Sequence, residues 1–115
     1  MSFLASDVIT AARAIWKEST PGDILSDELC WEFLNLGITR IRSRRTDSTF
    51  DSNGNHVDAL VVSANSSLIN LDSVFLPMLT EYLIARGFQS DADSQNHDKR
   101  SSVHMNEFEN QLKGA

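Results

Sequence analysis

The sequence predicts a mainly α protein, a four-helix bundle with a long β-like arm or hairpin inserted between helices two and three. Three observations predict it. Apolar residues recur at helical spacing in four separate segments, most of them opened by a capping or acidic residue. Between the second and third segments, at about 46–71, the periodicity changes: an Asn53-Gly54 turn signal precedes the β-rich run Ala59-Leu60-Val61-Val62. Finally, 115 residues of which 41% are hydrophobic suffice for one core and one domain, 1–115, but not for two.

The first helix is expected from about Ser6 to Glu18. Ser6 is a good N-cap, Asp7 suits the positive end of the helix dipole, and Val8, Ile9, Ala12, Ile15 and Trp16 share one face. "STPGD" (19–23) then breaks it at Pro21-Gly22. The second helix opens with Ser26 as cap and Asp27 and Glu28 in its first turn, with Leu25 placed to staple onto Cys30. Leu29, Cys30, Phe33, Leu34, Ile38 and Ile41 form its apolar stripe, and Glu28, Glu32, Asn35, Thr39 and Arg42 lie away from it. Gly37 in mid-helix costs about 1 kcal/mol relative to alanine, which points to another helix passing close.

The arm follows, with a polar tip at Asn65-Ser66-Ser67. A connection of this length inside a compact domain usually makes a contact of its own. The third helix starts after Asp72 or Ser73, with Pro77 near its first turn, and carries Val74, Phe75, Met78, Leu79, Tyr82, Leu83 and Phe88. The fourth, from about Ser94 to Leu112, has only the thin stripe Ser101, His104, Met105, Phe108 and Leu112. It packs one narrow edge and leaves a broad wet surface.

Composition excludes several classes. A net charge of −6 argues against gripping nucleic acid through a broad basic face. It does not exclude a protein that DNA merely passes, because a like-charged wall repels the backbone. One cysteine, Cys30, permits no internal disulfide and reads as a buried, inert thiol. The opening residues lack the basic start and long apolar core of a signal peptide, and no apolar run approaches membrane-spanning length. A soluble protein of a reducing compartment is expected.

The most polar window, "GFQSDADSQNHDKR" (87–100), is the one candidate for chemistry. As a calcium loop counted from Asp91 it fails, because Asn96 stands where glycine and Ser102 where a bidentate glutamate are needed. His97 and His104 stand two helical turns apart, about 10 Å, too far to share one zinc ion. Asp91 with Asp93 as an acid/base pair needs environments that separate their pKa values, and the segment reads as exposed. Asp91 to Ser94 are therefore expected to form the corner between two helices. No phosphate loop, nucleophile elbow or zinc-protease motif occurs. The arginines at 40–45 either contact phosphate or complement the helix end, and Trp16 and Trp31 read as core.

Taken together, the helical blocks resemble a family. "LSDELCWEFLNLGITRIRSRR" is similar to the "W-S-D-x-E-L-x-x-W-L-N-x-A-x-x-x-I" segment of the small head-to-tail adaptor proteins of tailed bacteriophages, with Ser26-Asp27-Glu28-Leu29, Phe33-Leu34-Asn35 and Ile38 in register and Leu25 replacing tryptophan. The last block resembles the family's "L-P-x-L-x-x-Y-x-x-x-R-x-x-x-x-D-x-x" helix pair through Leu76-Pro77, Leu79, Tyr82, Arg86, Asp91 and Phe108. The opening "ASDVITAARAIWKES" resembles its "V-x-x-L-I-x-x-A-R-x-x-L" start. The likeness spans nearly the whole chain apart from 46–70.

The resemblance implies a structural virion protein: a homo-oligomeric ring, usually a dodecamer, beneath the portal protein. It extends the DNA channel of the neck and docks the head-closure or tail protein below. No enzyme activity, cofactor, metal, membrane or sequence-specific DNA contact is implied. Relatives of that family often carry a C-terminal extension that reaches the portal. Here "QLKGA" closes the sequence just past the last helix, so the contact falls to this tail, the arm or the N-terminus. Expected interface residues are Arg40, Arg42, Arg44 and Arg45 at the helix end, with Phe50, Asn53, His56, Val57, Asn65 and Leu68 on the arm. The main alternative is a small helical interaction module unrelated to virions. A hydrolase using Asp91 and Asp93 and a DNA-binding regulator are weaker ones.

Overall fold

A computed structural model describes residues 3–16, 25–50, 53–90 and 95–113. Among them the protein is mainly helical, with four α-helices and one two-stranded sheet. In chain order the elements are β1 (Phe3–Leu4), α1 (Ala5–Trp16), α2 (Asp27–Arg44), β2 (Leu68–Ile69), α3 (Leu76–Ser90) and α4 (Gln95–Leu112). Single 3-10 turns at Thr46–Thr49 and Ser73–Phe75 follow α2 and precede α3. The expected turn at 19–23 and corner at 91–94 lie outside the described residues.

α3 is the central element, and α1, α2 and α4 all pack on it. The cause is in its sequence, which is apolar most of the way round. Met78, Leu79, Tyr82, Leu83, Ile84, Ala85 and Phe88 are all buried, and a helix apolar on every side is stable only when enclosed. Each such leucine or phenylalanine contributes about 1.5–3 kcal/mol through burial. α4 adds Ser101, Phe108 and Leu112 to the core, with Phe108 tilted against Tyr82 at 4.9 Å. The Ser101 hydroxyl donates to the Ala85 carbonyl at 2.9 Å, so its burial leaves no unmet polar group.

Two glycines set how closely the helices approach α3. A Cβ at Gly37 of α2 would lie 2.8 Å from Leu79 Cδ1 and Tyr82 Cδ2. This is the close pass its mid-helix position predicts. A Cβ at Gly87 would fall 2.3 Å from the Trp16 indole, which is buried and donates from Nε1 to the Ile84 carbonyl at 3.2 Å.

Capping matches expectation at α2, where the Ser26 hydroxyl accepts from the Leu29 amide at 3.3 Å. Before α3, Asp72 accepts from the Val74 amide at 3.0 Å, and Pro77 sits in the first turn. At α1 the expectation is corrected. Ser6 lies inside the helix, because β1 runs straight into Ala5. The amides of Ala5 and Ser6 instead donate to the carbonyls of Ser67 and Asn65, both at 2.9 Å, and the Leu4 amide donates to the Asp7 carboxylate at 2.9 Å. The arm supplies the cap that the helix does not carry itself.

The β-rich run at 59–62 joins no ladder; the sheet among the described residues instead joins Phe3 with Ile69 and Leu4 with Leu68, antiparallel. Three residues assigned to apolar stripes face outward: Ile15, Leu29 and Val74 are exposed. α3 is the most buried of the four helices, and the others pack one face on it.

Gly87→Ala is expected to destabilise the protein by about 1–3 kcal/mol in urea unfolding, since overpacking the rigid indole outweighs the gain in helix propensity. Gly37→Ala is expected to cost less, because its Cβ would stand 2.8 Å from its nearest neighbours, Leu79 and Tyr82, against 2.3 Å at Gly87.

Candidate functional site

The segment joining α2 to α3 does not stand away from the body. From Val57 to Asn65 it lies antiparallel along α2, held through its backbone by side chains of the helix. Arg42 Nη2 donates to the Val57 carbonyl at 2.7 Å. One turn and more toward the N-terminus, Asn35 makes a matched pair with Val62: Nδ2 donates to its carbonyl at 3.0 Å and Oδ1 accepts from its amide at 2.8 Å. A carboxamide can donate from its NH2 and accept at its oxygen together, so it satisfies both backbone groups of one residue as a neighbouring strand does. Trp31 Nε1 donates to Asn65 Oδ1 at 2.8 Å, and Asn65 Nδ2 donates to Asp27 at 3.4 Å. Asp27 also pairs with Arg13 of α1 at 2.7 Å, and Arg13 donates to the Leu25 carbonyl at 3.2 Å.

Positions 27, 31, 35 and 42 are four, four and seven residues apart, which places them on one helical face. The arm is shaped at both ends by local bonds. Phe50 and His56 form an antiparallel bridge across the Asn53-Gly54 turn, with Gly54 at φ 82°. The two rings meet edge to face at 5.8 Å. At the tip, Ser67 Oγ accepts from the amides of Ser63 and Ala64 at 3.1 and 3.0 Å.

The basic end of α2 works mostly inward. Arg40 pairs with Glu109 of α4 and lies over the Phe108 ring, 5.6 Å from its centre. Arg45 grips Asp47 with two bonds of 3.0 Å, donates to the Gln111 carbonyl at 3.2 Å and lies over Phe75. The forked bond from Arg45 holds the Asp47 carboxyl below the usual aspartate range, and the same bond raises the Arg45 pKa. Arg44 is exposed and makes no hydrogen bond or ion pair among the described residues. Of the four expected interface arginines, three therefore brace the arm and α4, and one faces outward.

The expected arm residues divide in the same way. Phe50, Asn53, His56 and Leu68 are exposed, Val57 is half-buried, and Asn65 is exposed but engaged by Trp31 and Asp27. Val62, whose backbone Asn35 holds, is buried at 3% exposure, while Phe50, Leu60 and Leu68 are 48%, 43% and 45% exposed and Val61 77%. The gripping residues were missed in the sequence. Asn35 and Arg42 read as solvent-facing and Trp31 as core, and their signal was their shared face.

A second feature lies between α1, α3 and α4. Two hollows of about 420 and 320 Å³ adjoin at Ile15 and His104. His104 Nδ1 sits 2.5 Å from Glu81 and stacks on Phe88. This pair spans α3 and α4 beside a mostly apolar wall. The Thr80 hydroxyl on that wall donates to the Leu76 carbonyl at 2.8 Å, so it is not presented as a nucleophile. Among the described residues no three His, Cys, Asp or Glu side chains cluster as a metal site, and no helix is long and apolar enough to cross a membrane. Asp91 and Asp93 lie outside the described residues. The chain matches no protein-family model, no curated protein and no solved structure.

Asn35→Ala is expected to remove both bonds to Val62 and cost about 1–3 kcal/mol. Hydrogen exchange at the Val62 amide is expected to accelerate well beyond that of α3. In an NMR titration Asp47 is expected to titrate below an ordinary aspartate, and Arg45→Ala to return it there. A depressed carboxyl stabilises the fold above the ordinary aspartate pKa, and that share is lost as pH falls through the lowered value.

Proposed function

We propose that this protein is a non-enzymatic head-to-tail adaptor of a tailed bacteriophage, a four-helix bundle with an inserted arm. It assembles as a homo-oligomeric ring beneath the portal, extends the DNA channel and docks the next neck or tail protein. The observation that carries the reading is the arm's construction. Its backbone is bound internally, while Phe50, Leu60, Val61 and Leu68 are left exposed along one connection. Exposed apolar side chains on a braced segment suit contact with another protein. Bracing also lowers the ordering cost of binding.

Other features support the same reading. The order of the three helical blocks resembles that of the adaptor family. The net charge of −6 suits a channel wall that DNA passes without adhering. Closed rings require heterologous contacts, with two different surfaces on each subunit. The arm and the α1/α3/α4 hollows are two such surfaces.

Electron microscopy of the purified chain, alone and mixed with the portal protein encoded beside it, tests the proposal. A ring stacked coaxially on the portal is expected. A monomer that ignores the portal overturns it in favour of an interaction module outside virions. Val61→Asp is expected to leave helical circular dichroism and urea stability unchanged within about 0.5 kcal/mol while abolishing ring assembly.

A further inference from the structure

Two surfaces of the subunit carry exposed apolar side chains. One is the segment between α2 and α3, with Leu60 and Val61, and the other the hollow between α1, α3 and α4, with Ile15 and Pro77. On α3, Leu79 and Tyr82 face Gly37 of α2, whereas Pro77, Glu81 and Ile84, which line the hollow, stand roughly 180° round the same helix at about 100° per residue. Two different surfaces of one subunit can meet between successive copies related head to tail.

Charge matches the two. Arg100 lines the larger hollow beside Ile15 and His104, and both it and Lys99 are exposed. On the arm, Asp58 is 94% exposed and stands two residues before Leu60, with the His56 ring 3.7 Å away. We propose that the α1/α3/α4 hollow receives the Asp58–Val61 segment of a second copy of this chain. Leu60 and Val61 lie against the exposed Ile15 and Pro77, and the Asp58 carboxylate pairs with Arg100. The contact rests on the ring reading above and specifies how its subunits join. A protein of net charge −6 repels its own copies, and this cation at the receiving surface offsets the repulsion where the acidic arm arrives.

A charge exchange tests it, with assembly followed by sedimentation and microscopy in the presence of the portal. Asp58→Lys and Arg100→Asp alone are each expected to weaken ring assembly by at least about tenfold. The double variant, which restores the pair in reversed sense, is expected to recover it. All of these side chains are exposed, and circular dichroism checks that the variants fold. Independently, Val61→Cys and Ile15→Cys proteins carrying different tags are mixed and oxidised, and a disulfide joining the two tags is expected. Rings that form normally from both single charge variants, with no mixed disulfide, overturn this contact and leave the ring itself standing. Wild-type protein that stays monomeric with the portal overturns the proposed function and this contact with it.

Discussion

An extended chain segment presents an amide and a carbonyl at every residue, and these must be met by strands, side chains or water. In this protein the need is met at Val62 by the Asn35 carboxamide, with Arg42 and Trp31 on either side. The consequence reaches well beyond the arm. With its middle tied to α2, the segment's far end is placed to pair β2 with β1 and to cap the first amides of α1. The arm thus connects two helices that touch one another little and that both depend on α3 for burial. Each bond alone contributes on the order of 1 kcal/mol, and together they decide where nearly a quarter of the chain lies.

α2 is therefore a two-sided helix. Its apolar stripe, with Cys30, Leu34, Ile38 and Ile41 buried, meets α3 across the opening at Gly37. Its polar face acts as an edge for the arm, and its basic end reaches across to α4 through Arg40 and Arg45. Arginine suits that last duty because its planar fork holds a carboxylate and a carbonyl together while its face lies on an aromatic ring. Binding the arm through polar groups frees its apolar side chains. A strand buried in a sheet would have turned half of them inward. Strapped to a helix, the arm keeps Leu60 and Val61 both accessible, and the proposed assembly uses that property.

Much of the helical frame was legible in the sequence. Ser26 as a cap, Asp72 before the third helix, Pro77 in its first turn and Gly37 at a close approach are local facts, determined by the chemistry of a few neighbouring residues. The narrow stripe of α4 was legible too, with Ser101, Phe108 and Leu112 buried as their spacing implied. The readings that failed depend on partners distant in sequence. Ser6 has the chemistry of a cap, but carbonyls from residues 65 and 67 took that place. Ala59 to Val62 have strand propensity, but Asn35 claimed the backbone groups a ladder needs.

By itself, then, the sequence determined that the chain is mainly helical and where most of its helices begin. Those properties follow from periodicity and capping, which act over a few residues. Only the tertiary structure decided that Asn35 and Arg42 meet backbone groups and Trp31 the Asn65 side chain, that the basic helix end is largely spent within the subunit, and that Leu60 and Val61 face outward. A polar side chain on a helix reads the same in sequence whether it meets solvent or an extended chain. The difference is made by closure of the long loop between residues 45 and 75, which no local pattern encodes.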